Sequence, residues 1–484
     1  MRLFIVLRYI GLVLLINSLF LFISAIVGFL NNDQSFGILL YSAAVAGIFG
    51  VFPMIFVPPA EDINQNEGLI IVIGSWLASC IIGMLPYIMW GEEFTFSNAW
   101  FESVSGFTTT GSSILTNIEG VPYGLLFWRA ATHWLGGMGI IMFVLSVLPS
   151  LGSAGMILYR TEMSTVAQES FKQSAKKTLR IVLMVYIGLT FLESIFLMIF
   201  GMNLFDAVTH SFATIATGGF SPKNTSIAFY NSVAIETVII VFMILSGLHF
   251  GLLFSTFFER SLNIFKSTIV RYYVAAMLTG IILVTHNTYG SNYSDFGDAL
   301  RYSAFQVISI GTSTGFATDN SAVWPAFSQI LLMFFALQCA TAGSTSGGIK
   351  ADRLVMFYKT LLKQLRLLRH PRAVITVKID EKKIHDNDLS LGILYIVVYL
   401  AIVFIGGLLL VALNVNPLEA FSGTIAAAGN VGPGLGEVGS TGNFNDLPNA
   451  GKWILSIVML LGRLEVYGMI LFFLPQTWKL KGEE

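Results

Sequence analysis

The sequence has few charged residues and few cysteines. Only 11% of its 484 residues are charged, against 55% that are hydrophobic, a balance that cannot be packed inside one water-soluble surface. The net charge of −1 argues against nucleic-acid binding. The two cysteines, Cys80 and Cys339, lie in apolar stretches and suggest no disulfide framework. The composition predicts a polytopic membrane protein.

Motifs of common enzyme classes are also missing. The chain has no HExxH metalloprotease motif. The stretch from Gly343 to Lys350 resembles a phosphate-binding loop only superficially, because its glycines are not followed directly by lysine and then serine or threonine. We therefore predict neither enzymatic activity nor a bound cofactor.

Apolar runs long enough to cross about 30 Å of hydrocarbon recur along the chain. Two predicted helices, near 3–30 and 36–58, precede four units that each contain an outer helix, a short helix, a glycine loop and an inner helix. The predicted fold is therefore all-α. The predicted helices lie near 68–91, 96–107 and 122–149 in unit one, 176–202, 204–214 and 230–257 in unit two, and 388–414, 417–428 and 449–474 in unit four. Unit three covers about 264–370, and the predicted domain ranges are 1–62, 63–165, 166–260, 261–375 and 376–484.

One glycine in each unit follows the short helix, and the four recur about one hundred residues apart. Such loops can present backbone carbonyls that replace the hydration shell of a cation, and the C-terminal end of a short helix adds negative potential. Glycine permits the unusual dihedrals and adds no side chain. A single Thr-Gly pair would more simply be a tight turn, but four at matched positions favour a cation filter. The predicted filter residues are Thr110, Gly111, Ser112, Thr217, Gly218, Gly219, Thr314, Gly315, Phe316, Asn430, Val431 and Gly432.

The distribution of positive charge gives an orientation. Most of the 27 Lys and Arg residues fall near 1–8, 160–180, 260–271 and 350–383, which the positive-inside rule assigns to the cytoplasm together with the N-terminus. Segment 59–68 is assigned to the same side although it is purely acidic. The opposite side carries mainly carboxylates, which predicts that cations enter from outside.

These residues and motifs resemble the Trk/Ktr/HKT superfamily of potassium transporters, and most closely its TrkH-like members with two extra N-terminal helices. The resemblance covers nearly the whole chain and includes Gly136-Gly137-Met138-Gly139 and Gly432-Pro433-Gly434-Leu435-Gly436-Glu437. It implies potassium uptake across the bacterial inner membrane through one pathway enclosed by four units. It also implies a homodimer and a TrkA-like cytosolic nucleotide-binding regulator, with potassium as the transported ligand.

In that superfamily selectivity depends on the filter glycines, and relatives with serine at the first position conduct sodium readily. The intact Gly111 therefore favours potassium. The fourth loop reads Asn430-Val431-Gly432 instead of the Thr-Gly pattern, so the filter is less symmetric than that of a tetrameric channel.

The last helix of unit three is interrupted between Ala340 and Gly348, where glycine and small hydroxyl residues disfavour a regular helix. The resemblance implies an intramembrane gate loop below the filter; the alternative is an inert hinge. The predicted gate residues are Gly343, Ser344, Thr345, Ser346, Gly347, Gly348 and Arg463. An arginine inside a membrane span needs a polar partner, and the resemblance suggests that Arg463 holds this loop closed.

Other features leave alternatives open. Arg129 and His133 share a helix face, and we interpret them as a structural pair packing against a neighbouring pore helix. The basic helix from Lys350 to Arg372 either lies on anionic lipid or docks the regulator. Broken helices also occur in secondary transporters, so a proton- or sodium-coupled potassium symporter is the alternative function.

Overall fold

The computed structural model describes residues 2–60, 63–147, 175–259, 263–380, 382–464 and 466–478. Helices α1 (Leu3–Leu30) and α2 (Ser35–Phe56) form an N-terminal hairpin. The other helices in the first half are α3 (Gln65–Gly83), α4 (Leu85–Trp90), α5 (Phe96–Phe107), α6 (Tyr123–Val147), α7 (Ala175–Ile199), α8 (Leu204–Ile215), α9 (Val233–Ser246) and α10 (Phe250–Phe257). Those in the second half are α11 (Asn263–Lys266), α12 (Thr268–Thr288), α13 (Phe296–Gly311), α14 (Ala326–Gln338), α15 (Ala351–Arg369), α16 (Asp386–Ala412), α17 (Pro417–Gly429), α18 (Asn449–Arg463) and α19 (Val466–Phe473).

The all-α prediction is confirmed for the described residues. Their single sheet is a two-residue antiparallel ladder of β1 (Lys378–Ile379) and β2 (Lys382–Lys383). Six spans in the described ranges are long and apolar enough to cross a membrane, namely α1, α2, α3 with α4, α7, α12 and α16. They correspond to the two N-terminal helices and the four outer helices predicted from the sequence.

Several predicted helices are broken in the structure. The predicted outer helix near 68–91 divides at Met84, since Pro86 in the next turn lacks an N–H to continue the hydrogen-bond ladder. The predicted inner helix near 230–257 divides into α9 and α10, which are bent by 107°. The predicted inner helix near 449–474 likewise divides into α18 and α19.

One local and one long-range contact hold the break between α9 and α10. The side chain of His249 accepts backbone N–H groups of Gly251 and Leu252 at 3.0 and 3.3 Å and so starts a new helix. The Gly247 carbonyl leaves the helix and accepts both the N–H and the hydroxyl of Thr341. The bend thus fastens α9 to the interrupted segment of unit three, which itself extends from the end of α14 at Gln338 to the start of α15 at Ala351.

One carboxylate of the acidic segment that conflicted with the charge distribution is paired with Arg2 at the N-terminus. The Arg2 guanidinium lies 2.9 Å from the buried Glu67 carboxylate, which also accepts the Arg2 backbone N–H. The predicted boundary after residue 165 and the basic residues Arg160 and Lys172 lie outside the described residues. The domain ranges therefore stay predictions.

The hairpin of α1 and α2 depends on close backbone approach. A Cβ atom on Gly50 would lie 2.9 Å from the Gly11 carbonyl oxygen, whereas one on Gly37 of the same helix meets nothing within 4 Å. We expect Gly50→Ala to lower the thermal unfolding midpoint in detergent, because overpacking costs about 1–3 kcal/mol. The matched variant Gly37→Ala should keep or raise the midpoint, since alanine is the better helix residue. Equal midpoints for both variants would contradict this packing.

Candidate ion-binding site

Four short helices, α5, α8, α13 and α17, carry the predicted glycine loops. Each begins at a side-chain oxygen that accepts a first-turn backbone N–H and satisfies a donor without a helical partner. The caps are Thr95, Asn203, Asp295 and Asn416. The C-terminal ends of the helices lead directly into the glycine loops, so all four units share one local design.

Each short helix ends in the same backbone motif. The residue two positions before the glycine has φ between 51° and 60° at Thr109, Thr217, Ser313 and Asn430. The N–H of the following residue donates to the carbonyl five residues earlier: Thr110 to Ser105, Gly218 to Ala213, Thr314 to Ser309 and Val431 to Ala426, at 2.8–2.9 Å. This pattern is the Schellman motif. A non-glycine residue in this conformation costs about 1–3 kcal/mol, so the surrounding structure must hold four strained turns.

Gly111, Gly219, Gly315 and Gly432, here called the glycine ring, occupy equivalent backbone positions, with φ of +83°, +81°, +79° and +99°. A Cβ atom on any of them would come closer than 3.0 Å to a carbonyl oxygen of another loop. The pairs are Gly111 with Gly218, Gly219 with Thr314, Gly315 with Val431, and Gly432 with Thr110. These contacts run from loop one to two, three, four and back to one, so the loops close a cycle.

The cycle places one backbone carbonyl from every loop beside the ring glycine of the preceding loop. These oxygens belong to Thr110, Gly218, Thr314 and Val431, and all four helices end beside them. Carbonyl oxygens and helix C-termini both favour a cation. Irregular backbone at membrane depth is tolerated where it lines a polar path or is buried in protein. The geometry therefore suits a dehydrated monovalent cation on the axis of the ring.

Two side chains of the ring loops form hydrogen bonds across to another loop. Ser112 Oγ donates to the Gly432 carbonyl at 2.9 Å, and Asn430 Nδ2 donates to Thr110 Oγ1 at 2.9 Å. Loops one and four are thus joined by two side-chain bonds, and Asn430 accounts for one of them. Phe316 is buried, and the centroid of its ring lies 5.6 Å from that of the His210 ring. Its side chain therefore packs in the protein core.

The segment between α14 and α15 is here called the intramembrane loop, residues 339–350. Thr345 Oγ1 donates to the carbonyl of Ile215, the last residue of α8, at 3.0 Å. The Gly347 N–H donates to Ser313 Oγ at 3.3 Å, and Cys339 Sγ lies 3.6 Å from the Gly429 carbonyl oxygen at the end of α17. The loop therefore forms hydrogen bonds to groups at or just after the C-terminal ends of three of the short helices.

The other predicted gate residues shape this loop from within. Ser344 Oγ donates to the Thr341 carbonyl at 2.6 Å and lies 3.1 Å from Ser346 Oγ. Gly343 and Gly348 have φ of +79° and +76°. Each faces a side chain, His249 and Cys339 respectively, that leaves no room for a Cβ atom.

Arg463 makes the predicted contact with the loop. Its Nη1 donates to the Thr345 carbonyl, and its Nη2 donates to the Gly136 carbonyl at 3.1 Å. The buried guanidinium thus links the last inner helix to the loop and to the first inner helix. Thr345 connects Arg463 to the end of α8, because its carbonyl accepts from Arg463 and its hydroxyl donates to Ile215.

Arg129 and His133 on α6 pack against two units. Arg129 Nε donates to the buried Glu102 carboxylate of α5 at 2.6 Å, and its Nη1 donates to the Ser221 carbonyl at 3.0 Å. The pair was predicted to pack against a neighbouring pore helix; the helix is that of its own unit, and the neighbouring contact is the loop after Gly219. Glu102 was missed by the sequence analysis, although a carboxylate inside a short apolar helix is a recognisable signal.

Three basic residues of the predicted outer side are bound by nearby polar groups. Lys223 Nζ lies 3.4 Å from Asp206 Oδ2, and Arg301 Nη2 lies 2.6 Å from Glu236 Oε1. Lys452 Nζ donates to Asn98 Oδ1 at 2.7 Å. The two carboxylates offset the charge of Lys223 and Arg301, and the Asn98 amide satisfies a donor of Lys452. The described residues contain no cluster of three or more His, Cys, Asp or Glu side chains that could hold a metal ion.

Comparison with known proteins gives consistent matches. A family model described as TrkH, cation transport protein, matches residues 56–480. The Trk system potassium uptake protein TrkH of Escherichia coli K12 is 34% identical over 483 residues, which cover 98% of each chain. The Halomonas elongata protein of the same name is 32% identical over 99% of this chain and 100% of its own. The crystal structure of the potassium transporter TrkH from Vibrio parahaemolyticus superposes with a TM-score of 0.88 at 29% identity, covering 99% of this chain and 100% of that chain.

The matches to the two relatives and to the crystal structure cover 98–99% of the chain, and the family model covers the part with all four glycine loops. They agree with the membrane-length helices and with the prediction that the chain is not an enzyme. The chain is a multi-pass membrane protein and belongs to the TrkH family of cation transport proteins.

Proposed function

We propose that the chain takes up potassium as the membrane subunit of a Trk-type system, through a channel-like pore in the bacterial inner membrane. The closed cycle of four glycines and four carbonyls is the observation that carries this proposal. The relatives named as potassium uptake proteins support the choice of ion. The pore accepts potassium from the outer side, with the N-terminus and the basic segments in the cytoplasm.

Selectivity arises at the glycine ring. The backbone oxygens beside Gly111, Gly219, Gly315 and Gly432 replace the hydration shell of the ion, and the ends of the four short helices stabilise its charge. The contact of each glycine with the next loop sets the spacing of these oxygens. Any side chain there must displace a carbonyl of the adjacent loop, which changes the fit for every ion.

The intramembrane loop is the gate. In the present conformation Thr345 is bonded to the end of α8, where the Ile215 carbonyl would otherwise be available to the pathway. Arg463 holds Thr345 from the opposite side through its backbone carbonyl. Opening requires these bonds to break together, and a cytosolic nucleotide-binding regulator of the TrkA type supplies the energy.

The regulator acts through α15. This helix begins at Ala351, directly after the loop, and carries the exposed Arg366 and Arg369 near its end, so a displacement of α15 reaches the gate without an intermediate element. The same basic surface also suits anionic lipid. We further propose that two chains assemble as a homodimer.

Gly111→Ser should lower the preference for potassium over sodium, because a Cβ atom at Gly111 displaces the Gly218 carbonyl. The measurement is potassium-, rubidium- and sodium-driven flux in liposomes containing the purified chain. Gly290→Ser is a matched control: Gly290 has a similar φ of +77°, but nothing lies within 4 Å of its Cβ position. The control should retain wild-type selectivity.

Two outcomes would contradict the filter. One is flux that is indifferent to Gly111→Ser while Gly290→Ser behaves as wild type. The other is potassium flux that appears only with a second solute gradient, with a reversal potential that depends on both ions. This second result would establish the coupled symporter as the function.

Arg463→Ala should raise basal potassium flux in the absence of the regulator. Loss of charged hydrogen bonds to two carbonyls removes on the order of 1.5–3 kcal/mol from the closed state, which corresponds to a change in open probability of about tenfold or more. Arg271→Ala on the exposed part of α12 is the control. Unchanged open probability in Arg463→Ala would eliminate the latch role.

A further inference from the structure

His133 lies between the first short helix and the second glycine loop. It is fully buried on α6, with Nδ1 at 2.8 Å from the carbonyl oxygen of Gly106 in α5. Its Nε2 lies 3.1 Å from the backbone nitrogen of Phe220, the residue directly after Gly219. One side chain thus spans two pore units at the level of the ring.

The two partners define the state of the imidazole. A carbonyl oxygen only accepts a hydrogen bond, so Nδ1 carries the proton; a backbone N–H only donates, so Nε2 presents its lone pair. A doubly protonated ring has no acceptor for Phe220, and the other neutral tautomer satisfies neither partner. His133 is therefore a neutral, directional bridge with a single tautomer.

Aromatic contacts strengthen this bridge. The imidazole lies against the Phe220 ring, with 4.1 Å between centroids, and the Arg129 guanidinium carbon lies 3.6 Å from the same ring centroid. Arg129 in turn holds the Ser221 carbonyl and is paired with Glu102. Backbone and side chain of the residues after Gly219 are both fixed from α6.

The bridge acts close to a ring carbonyl. A Cβ atom on Gly218 would lie 2.5 Å from His133 Cγ, so the imidazole packs directly on the peptide whose carbonyl faces Gly111. The position of that carbonyl depends on the chain that follows it, and His133 anchors this chain at Phe220. A shift of the anchor is transmitted through Gly218 to the ring.

We propose that His133 is a positioning residue that determines ion selectivity by anchoring the Phe220 N–H and with it the Gly218 carbonyl. The inference rests on the proposed potassium function, which it deepens. It assigns selectivity to a group behind the filter that does not touch the ion. Of the two bonds of the bridge, the one to Phe220 controls discrimination, whereas the one to Gly106 orients the imidazole.

Two substitutions separate the two bonds. The glutamine amide reaches the position of Nε2 and can accept from Phe220, whereas the asparagine amide reaches only the position of Nδ1 and can donate to Gly106. We expect His133→Gln to keep the wild-type preference for potassium over sodium. We expect His133→Asn to reduce it by about tenfold, the size of one lost buried hydrogen bond. Total rubidium flux should persist in both variants.

The assay uses the full-length chain in liposomes, with reversal potentials under potassium–sodium gradients. His286→Asn, on the exposed part of α12, is the control and should match the wild type. Equal selectivity of His133→Gln and His133→Asn overturns the inference about His133. If the wild type is selective in that same experiment, the proposed potassium function still stands. A wild type without potassium selectivity overturns the function itself and, with it, the inference. The thermal unfolding midpoint of each variant is measured in parallel, so that only folded proteins are compared.

Discussion

The close approach of each ring glycine to a carbonyl of another loop is the constraint on which the structure depends. It requires a positive φ, no side chain, and a preceding turn in which a threonine, serine or asparagine takes a conformation that L residues avoid. None of these conditions is favourable by itself. They persist because four capped helices, buried polar bridges and the cyclic contacts between loops over-determine the backbone.

The polar side chains around the ring serve mainly to hold that backbone. Arg129 with Ser221, His133 with Phe220, and Asn430 with Thr110 each connect one pore unit to another. Burying ionic and polar groups at membrane depth costs free energy unless they are paired, and here groups of a neighbouring pore unit are among their partners. The intramembrane loop uses the same principle from below, because Thr345 and Gly347 bond to the ends of short helices. The intramembrane loop thus contacts the same helix ends that lead into the glycine ring.

The helix order and the glycine positions were predictable because they depend on local signals. Apolar length identified the outer helices, and the short helices α5, α8 and α17 begin and end within one or two residues of their predicted ranges. The break after α9 was missed, since the local cap at His249 acts together with a contact between Gly247 and Thr341, nearly one hundred residues away. The Arg463–Thr345 contact was predicted from family resemblance, whereas the roles of Glu102 and Phe220 required the tertiary structure.

Direct observation of the ion tests the central claim most sharply. Crystals grown with rubidium in place of potassium permit anomalous difference maps that place the heavier ion without assumptions about flux or coupling. A peak is expected on the axis of the glycine ring, within coordination distance of the carbonyl oxygens of Thr110, Gly218, Thr314 and Val431. A ring that stays empty while rubidium occupies another site would contradict the four-glycine filter.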